Sequence, residues 1–136
     1  PIAKAIGLMH AYLVAGITTF NQIAALEALQ TDSTWMRDSY HARRDLVYRR
    51  ITEMGLPCIK PEGAFYIFPD ISEFKMDSES FCLKAMRDYK VAMVPGVYFG
   101  ADRNIRISYA VSDADLNEGL SRLQTMITDL RNHASV

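Results

Sequence analysis

The sequence contains little cysteine, no long apolar run and no excess of charge of one sign. Cys58 and Cys82 are its only cysteines, and their separation matches neither a metal-binding nor a redox motif. We therefore expect free thiols in a reducing, cytoplasmic environment. The 136 residues carry a formal net charge of −1. This balance predicts no charged field suited to nucleic acid or to a membrane surface.

The sequence predicts neither a membrane-spanning segment nor a metal site. No stretch reaches the roughly 18 consecutive apolar residues needed to cross a bilayer, and no basic segment precedes a compact apolar one as in a secretory signal. His10, His41 and His133 are scattered, without carboxylates or cysteines at ligand spacing, so we expect no metal site. The chain starts at Pro1 and inside a helical pattern, from which we expect a piece of a longer protein.

Apolar residues spaced three and four apart predict about five helices. Two lie within residues 1–30, and the third follows Ser33, a candidate N-cap, and stops at Gly55. The fourth begins at the candidate cap Ser78, and the last follows the cap Ser112. The positions predicted to face the core are Met36, Tyr40, Val47, Ile51 and Met54 in the third helix, Cys82, Ala85, Met86 and Tyr89 in the fourth, and Leu116, Leu120, Leu123, Ile127 and Leu130 in the last.

Between these helices lie short segments with the composition or alternation of β-strands. Residues 64–68, 91–94 and 105–109 are the clearest, and residues 58–60 are a candidate edge strand. Helices and strands in mixed order indicate an α+β fold, with helices packed on a small sheet of three or four strands.

Arg106 is the residue most suggestive of a binding function. It lies in mid-strand between Ile105 and Ile107, so the pleat directs it to the face opposite both isoleucines. A planar guanidinium at that place offers paired donors that match a carboxylate. The residues alone leave open that Arg106 is an ordinary solvated arginine, since arginine is mostly exposed.

Two other features are compatible with a site and also with plain structure. The loop of residues 95–100 contains two glycines, which let backbone approach a ligand closely, but it serves equally as a connection between strands. Phe65 belongs to an aromatic run that could line a pocket, although aromatics alternating through a strand are more often core. In that strand we expect Phe65 and Ile67 on one side, Tyr66 and Phe68 on the other.

Three segments, taken in order, resemble the class I/II aminotransferases. They are Arg43-Arg44-Asp45 through Gly55-Leu56 with Pro61-Glu62-Gly63-Ala64-Phe65-Tyr66-Ile67-Phe68-Pro69; Val91-Ala92-Met93-Val94-Pro95-Gly96 followed by Phe99-Gly100; and Ile105-Arg106-Ile107-Ser108-Tyr109-Ala110 with Ser112, Leu116 and Glu118-Gly119-Leu120-Ser121-Arg122-Leu123. The segment 19–29 is similar to the helix that follows the cofactor-lysine region in the aspartate-aminotransferase-like branch. The resemblance covers essentially residues 1–131.

This resemblance implies the fold-type I architecture, with residues 1–30 as linking helices from a large domain and residues 31–136 as the small domain. It implies pyridoxal 5′-phosphate as the cofactor of the complete enzyme and Arg106 as the residue that binds the substrate α-carboxylate. Phe65 matches an aromatic position near the substrate entrance, and the 95–100 loop would lie close to the active site. The lysine that holds the cofactor would lie upstream, so we expect this piece alone neither to bind the cofactor nor to transaminate.

The resemblance also implies partners. Amino acids and 2-oxoacids would be the substrates, the parent enzyme would be a homodimer, and the piece alone would self-associate through apolar surface. Two other functions remain open: a related fold-type I enzyme, such as a C–S lyase or an aminocyclopropane-carboxylate synthase, and a non-catalytic α+β domain that binds a carboxylate.

Overall fold

Five α-helices and three short strands form the part of the chain, residues 2–133, that the computed structural model describes. The elements in chain order are α1 (Ile2–Val14), α2 (Thr19–Gln30), α3 (Thr34–Glu53), β1 (Tyr66–Ile67), α4 (Ser78–Tyr89), β2 (Val94–Pro95), β3 (Ile105–Ser108) and α5 (Asp113–His133). The predicted α+β class, with five helices on a small sheet, is confirmed. Pro1 and residues 134–136, which belong to the predicted ranges, lie outside the described residues.

The chain divides into two units, residues 1–35 and residues 36–136. The first contains α1 and α2, and neither helix buries a described residue. Its large apolar side chains, from Ile2 to Leu29, are instead exposed. No single described helix is long and apolar enough to cross a membrane; α1 and α2 meet the length and composition criteria only jointly, with a bend of 109° between them. The assignment of residues 1–30 as a linking segment stays a prediction.

Helix α3 ends as its sequence predicts. Gly55 adopts a left-handed φ of 77°, its amide donates to the Thr52 carbonyl, and the Leu56 amide donates to the Ile51 carbonyl. These two bonds are the Schellman pattern, which a glycine at this position favours. The C-terminal half of α3 packs into the core through Val47 and Ile51, and Met54, directly after the helix, joins them there.

The N-terminal half of α3 differs from the prediction. Asp32, rather than Ser33, accepts a hydrogen bond from the Thr34 amide, at 2.9 Å. Met36 and Tyr40, predicted to face the core, are 47% and 37% exposed. Both lie before the core-packing half of α3, which starts at Val47.

The sheet is antiparallel, with β3 in the centre and the order β1-β3-β2. Tyr66 pairs with Ser108 on one side of β3, and Val94 pairs with Arg106 on the other. The predicted edge strand at 58–60 is wrong: those residues form no strand, because the chain there makes a single backbone bond, from the Asp70 amide to the Pro57 carbonyl, in place of a ladder. The predicted strand at 64–68 is shortened at its start by the left-handed φ of Ala64.

Helix α4 begins at Ser78, but its cap is Asp77, whose carboxylate accepts from the Ser80 amide at 2.7 Å. The prediction that Ser78 is the cap is therefore wrong. Cys82 and Ala85 are buried as predicted, whereas Met86 is exposed and Phe81 takes the core position instead. Phe81 is the better fit because it lies one residue before Cys82 and four before Ala85, on the same face.

Helix α5 closes the core of the second unit. The Ser112 hydroxyl accepts from the Asp115 amide at 3.1 Å, which confirms the predicted cap. The predicted apolar stripe is buried except for Leu130, which is partly buried. Near its end, Arg131 donates to the Met54 carbonyl at 2.8 Å and to the Glu73 carboxylate at 2.6 Å. The core residues are Val47, Ile51, Met54, Leu56, Ile67, Ile71, Phe81, Cys82, Ala85, Ile105, Ile107, Tyr109, Leu116, Leu120, Leu123, Met126 and Ile127.

Two glycine substitutions should change stability in opposite directions. Gly55→Ala should destabilise the fold by about 1–2 kcal/mol, since a Cβ is strained at positive φ and would lie 3.2 Å from the Arg131 guanidinium. Gly119→Ala is the matched control: Gly119 lies inside α5 with open space around it, so alanine should stabilise by about 0.5–1 kcal/mol. Urea unfolding followed by circular dichroism measures both changes. Equal effects of the two substitutions would contradict the left-handed turn.

Candidate functional site

Arg106 lies on the face of β3 that the core does not use. Its neighbours Ile105 and Ile107 are buried, while Arg106 is half-buried, which confirms the alternation that the sequence predicts. Within residues 2–133, no carboxylate forms an ion pair with Arg106, although eight ion pairs tie up other charged side chains there. Its charge is therefore available to a ligand.

Two aromatic rings flank the Arg106 guanidinium. Its central carbon lies 4.5 Å from the centre of the Phe99 ring and 5.1 Å from the centre of the Tyr66 ring. Such contacts attract a cation to the face of the ring. A ring face offers no hydrogen-bond acceptor as strong as a carboxylate oxygen, so these contacts do not satisfy the N–H donors of the guanidinium. The rings therefore help to hold the cation in place while its donors remain able to bind a carboxylate.

Each ring reaches Arg106 from a different element. Tyr66 lies on β1, one strand away from Arg106. Phe99 ends the short 3-10 turn Gly96–Phe99, which follows β2, and it also meets Phe68 edge-on with ring centres 6.1 Å apart. The sequence analysis considered the 95–100 loop as a possible site because of its two glycines. In the structure, the residue of this loop that contacts Arg106 is Phe99.

The turn that carries Phe99 is tightly folded. A Cβ at Gly96 would lie 2.2 Å from both the Ala101 and the Asn104 carbonyl oxygens, so only glycine fits there. The Gly96 amide donates to the Asn104 carbonyl, and the Gly96 carbonyl accepts from the Ala101 amide. Gly100 then takes a left-handed φ of 77°. Gly96 therefore permits the close contact between backbone segments in this turn, and Gly100 permits its left-handed backbone conformation.

Residues at the start of α4 anchor the same turn. Ser78 is fully buried; its hydroxyl donates to the Asp102 carboxylate at 2.7 Å and accepts from the Val97 amide at 3.1 Å. Tyr98 donates to the Glu79 carboxylate, and this bond raises the pKa of the Tyr98 phenol because the carboxylate disfavours a second negative charge. The sequence carried no signal for these contacts, since Ser78 and Asp102 are 24 residues apart.

Phe65 lies apart from this cluster. It is 50% exposed, whereas Ile67 is buried, so the predicted sharing of one side by these residues is wrong. The left-handed φ of the preceding Ala64 interrupts the regular alternation. Phe65 touches Tyr66 edge-on, with ring centres 5.6 Å apart. It lines a cavity of about 470 Å³ whose other walls are Arg37, Tyr40, His41, Arg44, Glu62, Gly63, Ala64 and Tyr109.

A larger cavity, of about 670 Å³, lies beside α4 and is lined by residues that include Cys82, Met86 and Met93. Burial raises the pKa of the Cys82 thiol to about 11 and also raises the pKa of the Cys58 thiol. Both thiols are free, and both are mainly protonated at neutral pH. Neither has the lowered pKa of a reactive cysteine.

Three of the five lysines are bonded to other groups of the chain. Lys60 pairs with Asp45 at 2.8 Å and Lys84 with Asp88 at 2.9 Å. Lys90 donates to a backbone carbonyl at 2.6 Å, Lys75 follows a 3-10 turn, and Lys4 lies on α1. Among the described contacts of the second unit, none joins Lys60, Lys75, Lys84 or Lys90 to the rings that flank Arg106. Among residues 2–133 there is likewise no group of side chains that could hold a metal ion.

Comparison with known proteins places this arrangement in context. The family model "Aminotransferase class I and II" matches residues 2–123. An aspartate aminotransferase of Pyrococcus abyssi is 42% identical over 118 residues, which are 82% of this chain and 30% of that protein. Aromatic-amino-acid aminotransferase 2 of Thermococcus litoralis is 41% identical over 82% of this chain and 30% of its own length.

The solved structures that this chain resembles are also aminotransferases. The crystal structure of aspartate aminotransferase from Thermotoga maritima matches with a TM-score of 0.84 and 33% identity, covering 93% of this chain and 33% of that one. An aromatic aminotransferase from Pyrococcus horikoshii matches with a TM-score of 0.81 and 38% identity, covering 90% of this chain and 35% of the other. The chain thus spans about a third of the length of the proteins it matches.

Proposed function

The chain belongs to the class I and II aminotransferases, and on that premise we propose that it is the C-terminal, carboxylate-binding part of an enzyme that transfers an amino group between an amino acid and a 2-oxoacid. The observation that carries the proposal is that Arg106, on the open face of β3, lies over two aromatic rings and forms no ion pair with any carboxylate of residues 2–133. The aspartate and aromatic-amino-acid aminotransferases named above support transamination over lyase or synthase chemistry.

In this proposal Arg106 binds the α-carboxylate of the substrate. Two parallel N–H···O bonds fix both the position and the plane of a carboxylate, and charge on both partners makes them stronger than neutral hydrogen bonds. Contacts with the Phe99 and Tyr66 rings limit the movement of the guanidinium. The substrate is therefore held in one orientation, which lowers the entropic part of the barrier.

The family depends on pyridoxal phosphate, which supplies an electron sink for the bond changes at the substrate α-carbon. Three lysines of the second unit do not fit a covalent site for this group, because Lys60 and Lys84 are ion-paired and Lys90 is bonded to a backbone carbonyl. We propose that the cofactor lysine and phosphate-binding groups belong to the part of the enzyme that this chain does not span.

Replacing Arg106 tests the assignment in the complete enzyme. Arg106→Lys keeps the charge but loses the bidentate fork, so kcat/KM for the amino acid should fall on the order of 10²-fold or more. Arg103→Lys is the matched control: Arg103 is three residues away and its side chain is exposed, so kinetics should stay within about twofold of wild type. Steady-state assays with a 2-oxoacid acceptor measure both. Equal kinetics for wild type and Arg106→Lys would refute the role of Arg106.

The isolated chain should remain without covalent cofactor. After incubation with pyridoxal phosphate and gel filtration, we expect no visible absorption band of a lysine-bound cofactor, because the amines of Lys60, Lys84 and Lys90 are already bonded to other groups. The complete enzyme, treated identically, is the positive control. A stable band in the isolated chain that disappears on replacement of one lysine would contradict this prediction.

The exposed apolar side chains of α1 and α2 should make the isolated chain self-associate. Ile6 and Met9 are more than 60% exposed, and large exposed apolar patches favour association. We expect sedimentation velocity to show a mass that rises with concentration, and Ile6→Asp combined with Met9→Asp to suppress the rise. His10→Asp, which adds charge on α1 without removing an apolar group, is the control. A concentration-independent monomer would contradict both self-association and the use of this surface in a homodimer.

A further inference from the structure

We propose that Ser78 and Asp102 are positioning residues for Arg106: they hold the turn 96–99 so that the Phe99 ring stays stacked on the guanidinium. The inference rests on the proposed role of Arg106 in binding a carboxylate. It assigns a function in substrate recognition to the first residue of α4, which contacts neither the substrate-binding face of β3 nor Arg106.

The network starts with a charge-assisted pair between the buried Ser78 and the exposed Asp102. The Asp102 carboxylate accepts from both the amide and the hydroxyl of Ser78, at 3.0 and 2.7 Å. Hydrogen bonds to an ionised acceptor are about twice as strong as neutral ones. Because Ser78 is completely buried, its amide and hydroxyl have no water to bond in place of Asp102. The pair therefore fixes the Ser78 hydroxyl in one orientation.

That orientation determines what the hydroxyl accepts. With its proton directed to Asp102, the Ser78 oxygen presents a lone pair to the Val97 amide, 3.1 Å away. Val97 is the second residue of the turn Gly96–Phe99. A second tether, from the Tyr98 hydroxyl to Glu79 in the same first turn of α4, holds the next residue. Two successive residues before Phe99 are thus attached to α4.

The Phe99 side chain makes few contacts that fix its position. Its ring is 49% exposed, and the contacts described for it are with Phe68 and with Arg106. Burial alone therefore does not determine where the ring lies, and its position follows from the backbone of the turn. The backbone is in turn set by the glycine contacts and by the bonds to α4. Loss of the Ser78 hydroxyl should release the turn and let the ring leave Arg106.

A first experiment measures the contact between Phe99 and Arg106 directly, through the NMR chemical shifts of the Arg106 side chain in the ¹³C,¹⁵N-labelled chain. The Arg106 signals are assigned by their loss in Arg106→Lys. Phe99→Leu should change these shifts by removing the ring current, whereas Phe99→Tyr, which keeps an aromatic ring, should leave them close to their wild-type values. Ser78→Ala should move them in the same direction as Phe99→Leu. Asp102→Asn keeps an acceptor and should give a smaller change. Unchanged Arg106 signals in Ser78→Ala, beside a clear change in Phe99→Leu, would overturn the proposal.

A second experiment separates positioning from general damage in the complete enzyme. Single-turnover rates are compared for an amino acid and for the matching amine that lacks the carboxylate. Ser78→Ala and Phe99→Leu should each lower kcat/KM for the amino acid roughly 3- to 10-fold, the size of a lost cation–π contact, and leave the amine within about twofold. Ser80→Ala is the matched control, because the Ser80 hydroxyl bonds to Asp77, away from the turn.

The outcomes distinguish the two proposals. Equal losses for the amino acid and the amine in Ser78→Ala and Phe99→Leu mean a merely structural role and overturn the inference. If Arg106→Lys also fails to reduce the preference for the amino acid over the amine, the proposed function itself is wrong. If Arg106→Lys reduces that preference but Ser78→Ala and Phe99→Leu do not, the proposed function stands and only the positioning role of α4 is excluded.

Discussion

The pleat of β3 is the constraint on which the site depends. Ile105 and Ile107 are buried against the helices, and this burial forces the residue between them to the other face. A shift of one residue in the β3 register would move Arg106 into the core and both isoleucines to the surface. The antiparallel neighbours on either side, at Tyr66 and at Val94, prevent such a shift. The burial of Ile105 and Ile107 thus determines the position of the Arg106 guanidinium, although Arg106 is not itself part of the core.

The elements that the sequence predicted well are those with a local signal. The stripe from Leu116 to Ile127, the cap at Ser112 and the glycine at 55 each depend on residues within a few positions of one another. Arg106 belongs to this group, because its two neighbours in the chain suffice to predict its face. The aminotransferase resemblance added the expected role, which no local pattern contained.

The features that were missed depend on distant parts of the chain. Asp102 binds Ser78 across 24 residues, so nothing near Ser78 indicates that its hydroxyl is occupied and that Asp77 must cap α4 instead. Met36 and Tyr40 continue the apolar pattern of α3, yet they remain exposed because periodicity indicates a face and not what covers it. Residues 58–60 have strand composition, but no neighbouring strand extends far enough to pair with them. In each case the wrong prediction followed from contacts, or the lack of contacts, with distant parts of the chain.

The position of α5 has a consequence for synthesis of the protein. This helix, residues 113–133, supplies five of the core residues, and its Arg131 joins the Met54 carbonyl to Glu73. Until α5 has been synthesised, the central strand, α3 and α4 therefore lack a large part of their apolar cover. Closure of the second unit has to wait until α5 has emerged from the ribosome. Until then the nascent chain presents the inner faces of Ile105 and Ile107, which makes it a candidate for chaperone binding.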